Sequence, residues 1–277
     1  MTQKKTSNTL NKTFKELSIQ VSLSGLSFCI LDSAQNEIEK LDTITFDKKA
    51  TPKELEDHLN SWFEKDSLKD LTFQKVNVIH ENELSTFVPK SLFNESDLSN
   101  YLKYNVKILE NDYINYDELS TYDIYNVYVP FININNYLFD KFGDFEYKHF
   151  STILLEALFK AAKKSDVETV YVYVSNGHFE IVVLHQKKLI LYNTFQYQEK
   201  EDFLYYLLFT IEQLDLNPEE TPTYLFGSIT EEDPRFELAY KYIRHLEIAH
   251  LQPLNKASQS IKSIAPNTNT FILLNSL

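Results

Sequence analysis

The chain has 277 residues, 43% of them hydrophobic, which is enough for one large domain or two of ordinary size and rules out disorder as the starting view. Its net charge of −13 repels phosphate backbones, so nucleic-acid binding is not expected, and Arg235 and Arg244 alone supply guanidinium groups for bidentate phosphate recognition. The single cysteine excludes an internal disulfide, and with 4 glycines little is left for phosphate-cradling loops.

Residues 1 to about 13 are polar and lack the apolar core of a signal peptide, and no apolar run is long enough to span a bilayer. A cytoplasmic location without membrane insertion is therefore expected. Residues 17–22 alternate as a strand, Ser24-Gly25 makes a turn, and residues 26–31 return. Cys29 in that return reads as a buried structural thiol and not as a nucleophile. A polar turn leads to a third strand over residues 38–46. Thr51, Pro52 and Glu54 form a capping box with proline at the first helical position, and Leu55, Leu59, Trp62 and Phe63 fall on one helical face. Residues 76–80 are a strand. His80 and Glu81, with Glu83, read as surface at its end.

Val88-Pro89 precedes a helix-like run over residues 91–104, and residues 105–122 read as a polar connection. A strand follows at 123–130, then a helix at 134–142 stopped by Gly143, a strand at 145–149 and a helix at 150–164. His149 sits at the last strand-to-helix junction, where a cap is the simpler reading than a site residue.

A second meander occupies residues 170–195. Its strands at 170–175 and 179–184 flank Asn176-Gly177, a pair that favours a type I′ turn with positive φ at both positions. After a turn at 185–188, the third strand runs to residue 195. His178 and Glu180 share a strand face with His185 nearby, a pattern for metal binding or, more simply, for a solvated face. A helix opens near Glu199 (Phe203, Leu207, Ile211, Leu214), and residues 223–226 form a strand. Glu231-Glu232-Asp233 then precedes a helix from Pro234 to about residue 245, where acidic groups complement the helix dipole. A strand at 246–251, a polar stretch and a short apolar run at 271–274 end the chain. The 18 Tyr and 20 Phe fit an aromatic-rich core.

Both halves thus run strand, strand, strand, helix, strand, the sign of a duplicated α/β unit. This layout resembles the actin-like ATPase fold, in which two ribonuclease-H-like halves face each other across a nucleotide cleft. It is most similar to the actin-like proteins of type IV pilus assembly and cell division, where a small subdomain interrupts the first half; residues 81–122 sit in its place here. The chain also resembles a Bacteroidetes family of unknown function in this superfold, through Val88, Pro89, Leu92 and Phe93, then Tyr101, Leu102 and Asn105, then Lys148, His149 and Ser151. The resemblance implies a first half over residues 14–165 and a second over 166–277.

In the fold's active members an Asp ends the first strand of each half, ahead of a Gly-rich turn; the carboxylates orient Mg²⁺ and its water, and backbone N–H groups cradle phosphates. The corresponding positions here are Ser22 with Ser24 and Gly25, and Ser175 with Asn176 and Gly177. The adenosine-side turn, which usually has paired glycines, is Gly227-Ser228. A hydroxyl is a poor substitute for a carboxylate on Mg²⁺. The expectation is therefore a degenerate cleft at these eight residues, with no catalytic or metal-binding residue, in a scaffold or interaction module with a protein or peptide partner. The resemblance also implies a possible homodimer. The alternative is a divergent ATP-binding protein, an ATPase or kinase holding ATP and Mg²⁺, with an acidic residue reaching the cleft near Gly25 and Gly177.

Overall fold

A computed structural model describes residues 14–65, 71–162, 165–249, 251 and 270–277. The first meander forms β1 (Lys15–Ser22), β2 (Gly25–Asp32) and β3 (Glu37–Thr45), with Ser22 opposite Gly25. Helix α1 (Pro52–Phe63) starts on the expected capping box: Glu54 N–H donates to Thr51 Oγ1 at 3.3 Å, and Thr51 N–H donates to Glu54 Oε2 at 2.7 Å. Next come β4 (Lys75–Glu81), β5 (Ser85–Pro89), α2 (Leu98–Leu102), β6 (Asn115–Leu119), β7 (Ile124–Tyr128), α3 (Ile132–Phe142), β8 (Glu146–His149) and α4 (Phe150–Ala161). The second half has β9 (Thr169–Val174), β10 (His178–His185), β11 (Lys188–Gln196), α5 (Lys200–Gln213), β12 (Thr223–Gly227), α6 (Pro234–Ala239), β13 (Leu246–Ile248) and α7 (Thr270–Asn275).

Two five-stranded sheets have matching orders, β3-β2-β1-β4-β8 and β11-β10-β9-β12-β13, and in each the last three strands are parallel. Helices cover each outer face. Leu17, Ile19 and Val21 pack with Leu55, Leu59 and Trp62 of α1 and with Ile134 and Leu138 of α3. Val170, Val172 and Val174 do the same with Phe203, Leu207 and Ile211 of α5 and Phe236 of α6. The two inner faces meet around α4 and α7 in one cluster that joins Cys29 and Ile79 to Tyr173, Val182 and Phe226. Helix α7 follows the second meander in sequence yet bridges both sheets: Ser276 Oγ donates to Ser18 Oγ at 3.1 Å, and Phe271 lies edge-on to Phe226. Cys29 is buried, and that burial pushes its thiol up to about 12. This is the structural thiol expected.

Several expectations are corrected. The polar connection contains a strand, β6, whose inward Asp117 spoils the apolar alternation that marks strands. With β5 and β7 it makes a three-stranded antiparallel sheet, order β5-β7-β6, inside the insertion. The helix expected over residues 91–104 is broken: Phe93 is extended, Asn94 caps a new turn, and only α2 is α-helical. Helix α6 stops at Ala239, because the chain turns to pair with the sheet, where Thr223 N–H donates to His245 O. The type I′ pair is not Asn176-Gly177. Ser175 N–H donates to His178 O at 2.9 Å, so Asn176 and Gly177 do form the tip, but with positive φ at Gly177 and not at Asn176. Gln186 and Lys187, at φ 48° and 64°, carry the positive-φ pair instead. The expected features at residues 1–13, 163–164, 250 and 252–269 lie outside the described residues.

Candidate functional site

The two meander turns face each other across a cleft of about 900 Å³. Its lining includes Ser22, Ser24, Gly25, Ser175, Asn176, Gly177 and Ser228, so the fold brings all the predicted positions together except Gly227. Gly227 serves packing. Its φ is +97°, and a Cβ there would collide with the backbone of Val174. Gly25 likewise sits where a Cβ would meet the carbonyl oxygen of Ile44, in an ordinary φ region.

The turns are closed on themselves. Ser22 Oγ accepts from Ser24 N–H at 3.1 Å and donates to Gly25 O at 3.2 Å. In the second half, Tyr197 OH donates to Ser175 O at 2.8 Å and accepts from Gly177 N–H at 3.4 Å. Ser228 N–H donates to Val174 O at 2.6 Å. Backbone donors of the kind that would cradle a phosphate therefore already have acceptors at Ser24, Gly177 and Ser228. Arg235 donates to Tyr197 OH, to Ser228 O at 2.8 Å and to both carboxylate oxygens of Asp233. That guanidinium is held as structural glue behind the second turn.

The sequence expects an acidic residue in this cleft only under the ATP-binding alternative and does not point to which one. Glu81 ends β4 directly beside Ser22 of β1 and is not the surface residue expected; it lines the cleft together with Glu83 and with Asp202 of α5. The signal was available, because a parallel β4 beside β1 must end at the same edge of the sheet. His80 is not surface either. It is fully buried, accepts from Phe131 N–H at Nδ1 and faces Asn135 Oδ1 at 2.9 Å; burial lowers its pKa to about 4.

The strand face of His178 and Glu180 is also not solvated. Glu180 is completely buried, and His178 Nε2 lies 3.5 Å from Glu81 Oε1 and 3.8 Å from Glu180 Oε1. Burial raises the Glu180 pKa to about 7, against the opposing effects of His178, Thr194 and Tyr192. Burial also acts to raise Glu81, but bonds from His178, Gln20 and Ser175 outweigh it and hold the carboxyl below its usual range. Burial alone would lower His178; Glu81 and Glu180 together raise it. The result is an ion pair across the cleft with a second carboxyl behind it. His185 stands at the far end of β10, paired with Glu168 at 3.3 Å. Among the described residues no group of three or more His, Cys, Asp and Glu is placed to hold a metal, and no helix is long and apolar enough to cross a membrane.

The motif residues that carried the family resemblance hold the insertion together. Val88 and Leu102 share its small core, and Phe93 stacks on Tyr125 at 3.8 Å. Tyr101 OH donates to Leu92 O at 2.7 Å, and Asn105 Nδ2 donates to Thr86 Oγ1 at 3.0 Å. His149 caps α4, its Nδ1 accepting from Ser151 N–H, as the junction suggested.

A family model described as a protein of unknown function, DUF3822, matches residues 4–246. The chain belongs to this DUF3822 family. Among curated proteins none matches the chain. A Bacteroides thetaiotaomicron crystal structure, described as a protein with actin-like ATPase fold and unknown function, superposes with a TM-score of 0.77 at 22% identity, over 86% of this chain and 91% of that one. A chain of the PilM–PilN type IV pilus biogenesis complex superposes with a TM-score of 0.61 at 11% identity, over 95% of this chain and 98% of that one. The DUF3822 chain has the actin-like ATPase fold.

Proposed function

We propose that this DUF3822 protein is a non-catalytic, cytoplasmic actin-like-fold protein that works as an interaction module, its cleft engaging a protein or peptide partner. The observation that carries this reading is the state of the two turns. Ser22 and Ser175 stand where Mg²⁺-orienting carboxylates belong, and the hydroxyl of Ser22 closes its own turn. The carboxylate that does reach the place, Glu81, faces His178. A carboxylate neutralised by an imidazolium is a weak ligand for a metal–phosphate group. The likeness to a chain of a PilM–PilN complex adds support for a partner-binding role, at the level of fold.

The second reading is a divergent ATP-binding protein. Glu81, Glu83 and Asp202 favour it, because it requires acidic groups in this cleft. Calorimetric titration with MgATP, together with a turnover assay, separates the two. The proposed function expects neither binding nor phosphate release. Hydrolysis that Glu81→Gln abolishes would establish the second reading in its place.

A further inference from the structure

The cleft has an electrostatic pattern opposite to what a polyphosphate requires. Glu81 and Glu83 line one wall and Asp202 the other, with Lys49 the one lysine in the lining among the described residues. The nearby guanidinium of Arg235 is already bound to Asp233, Tyr197 and Ser228.

The floor also carries an acceptor that lacks a donor. Gln20 is 3% exposed and lines the cleft. Ionised Glu81 only accepts, so it fixes the Gln20 amide with Nε2 donating to Glu81 Oε2 at 2.8 Å. Gln20 Oε1 then has no hydrogen-bond partner. Glu180, buried behind the floor, accepts from Thr194 Oγ1 at 2.5 Å and has the buried Tyr192 hydroxyl as a further donor. Buried acceptors without donors are costly. His178 Nε2 makes a long, charge-assisted contact with Glu81 at 3.5 Å and reaches Glu180, at 3.8 Å, by charge alone. The cleft wall thus carries an unpaired acceptor, Gln20 Oε1, beside the negative charge of Glu81 and Glu83.

We propose that the cleft binds a cationic donor, the ammonium or guanidinium end of a lysine or arginine side chain on a partner peptide, held by Glu81 and Gln20 Oε1 with Glu180 behind them. This rests on the reading of the cleft as a partner site. An ammonium brings three donors and a guanidinium five, and both carry a charge complementary to Glu81 and Glu83. His178 is the resident competitor. It is faced by Glu81 from β4, Glu180 from its own strand, Lys49 from the β3–α1 connection and the Phe150 ring from α4. Binding moves the imidazole aside, so protonation of His178 opposes it.

The test titrates a short blocked peptide bearing lysine and arginine, its alanine counterpart, spermidine and MgATP into the full chain by calorimetry, at two pH values on either side of the histidine range. The basic peptide is expected to bind and the alanine peptide not. Glu81→Gln should weaken binding about tenfold, the loss of one charge-assisted contact. Glu83→Gln, at an exposed position, should weaken it by about threefold or less as a screened charge and provides a folded variant if Glu81→Gln is unstable. His178→Ala should tighten binding, and more so at the lower pH. Failure of both the basic peptide and spermidine to bind the folded protein would overturn the proposal. Spermidine binding without peptide binding would overturn its assignment to a partner side chain. MgATP binding that Glu81→Gln leaves intact would instead overturn the partner-binding reading beneath it.

Discussion

Glu81 of the first half and His178 of the second meet across the cleft at 3.5 Å, between the two meander turns. Close beside them, Gln196 of β11 donates to Glu83, so two contacts tie the halves at the mouth of the same cleft. The ion pair sets a pH window. The folded-state pKa of His178 is raised, so its contribution is complete below the unfolded value near 6.5 and is lost as pH climbs through the raised value. That of Glu81 is lowered, so its contribution is complete above the unfolded value near 4.3 and is lost as pH falls through the lowered one. His178→Gln should therefore cost about 1 kcal/mol between roughly pH 4.5 and 6.5 and progressively less at alkaline pH. Urea midpoints across that range measure it, and an equal loss at pH 5.5 and at pH 9 would show that the pair contributes nothing.

Glu180 has the opposite sign. Its pKa, raised to about 7 chiefly by burial, means that the folded state favours the neutral acid. Stability therefore falls as pH rises from the unfolded value near 4.3 towards 7 and is level above that. Glu180→Gln keeps an acceptor for Thr194 and removes the titration. The variant should melt higher than wild type at pH 8, by an amount corresponding to roughly 1–3 kcal/mol, and close to wild type at pH 4.5. Thermal melts at the two pH values decide it; a variant less stable at pH 8 would mean that the ionised carboxylate is favourable in place.

Gly227 and Gly143 separate two reasons for glycine. Both have positive φ, +97° and +75°, but only Gly227 is pressed against neighbouring backbone, that of Val174, while a Cβ at Gly143 would meet nothing. Gly143→Ala should cost about 2 kcal/mol, because φ 75° with ψ −134° is a backbone region essentially confined to glycine. Gly227→Ala adds a collision between β12 and β9 and should cost more, about 3 kcal/mol, with the loss visible as a lower denaturation midpoint. Equal costs for the two would mean that the β9–β12 contact yields easily.

The duplicated layout was legible because each meander is apolar on alternating residues and each following helix has its own cap, so β1 to β4 and β9 to β12 stand close to where the pattern puts them. What the pattern missed was polar and buried. Asp117 hid β6, because a carboxylate at an inward position breaks the alternation. Glu81 and Glu180 looked like surface residues for the same reason: nothing local distinguishes a carboxylate facing an imidazole in a cleft from one facing water. Glu81 finds His178 in the other half of the chain, and Asp117 finds His149 and Thr152, 32 and 35 residues on, so only the three-dimensional arrangement pairs them. The Asn-Gly signal failed differently. The turn type was set by the register Val174–Phe179 and by the Tyr197 hydroxyl holding Ser175, and that tertiary contact overrode a local preference.

Asp117 is the hinge of the buried network that attaches the inserted sheet to α4. Its Oδ1 accepts from Tyr128 OH at 3.0 Å, and its Oδ2 accepts from His149 N–H at 2.9 Å and Thr152 Oγ1 at 2.7 Å. Asn126 of β7 adds bonds to Ser151 Oγ and Thr152 Oγ1, both at 2.9 Å. Burial raises the Asp117 pKa to about 6 against the pull of those donors. Removing the carboxyl leaves three donors in the interior with no acceptor, so Asp117→Ala should cost about 3–5 kcal/mol, well above the cost of a surface change. The loss should also be local. Amides of β6 and β7 should exchange with solvent much faster relative to those of β9 and β10, because the insertion loses its anchor while the second sheet keeps its own core. Hydrogen exchange read strand by strand measures this, and uniform acceleration across both sheets would show that the network supports the whole fold and not the attachment of the insertion.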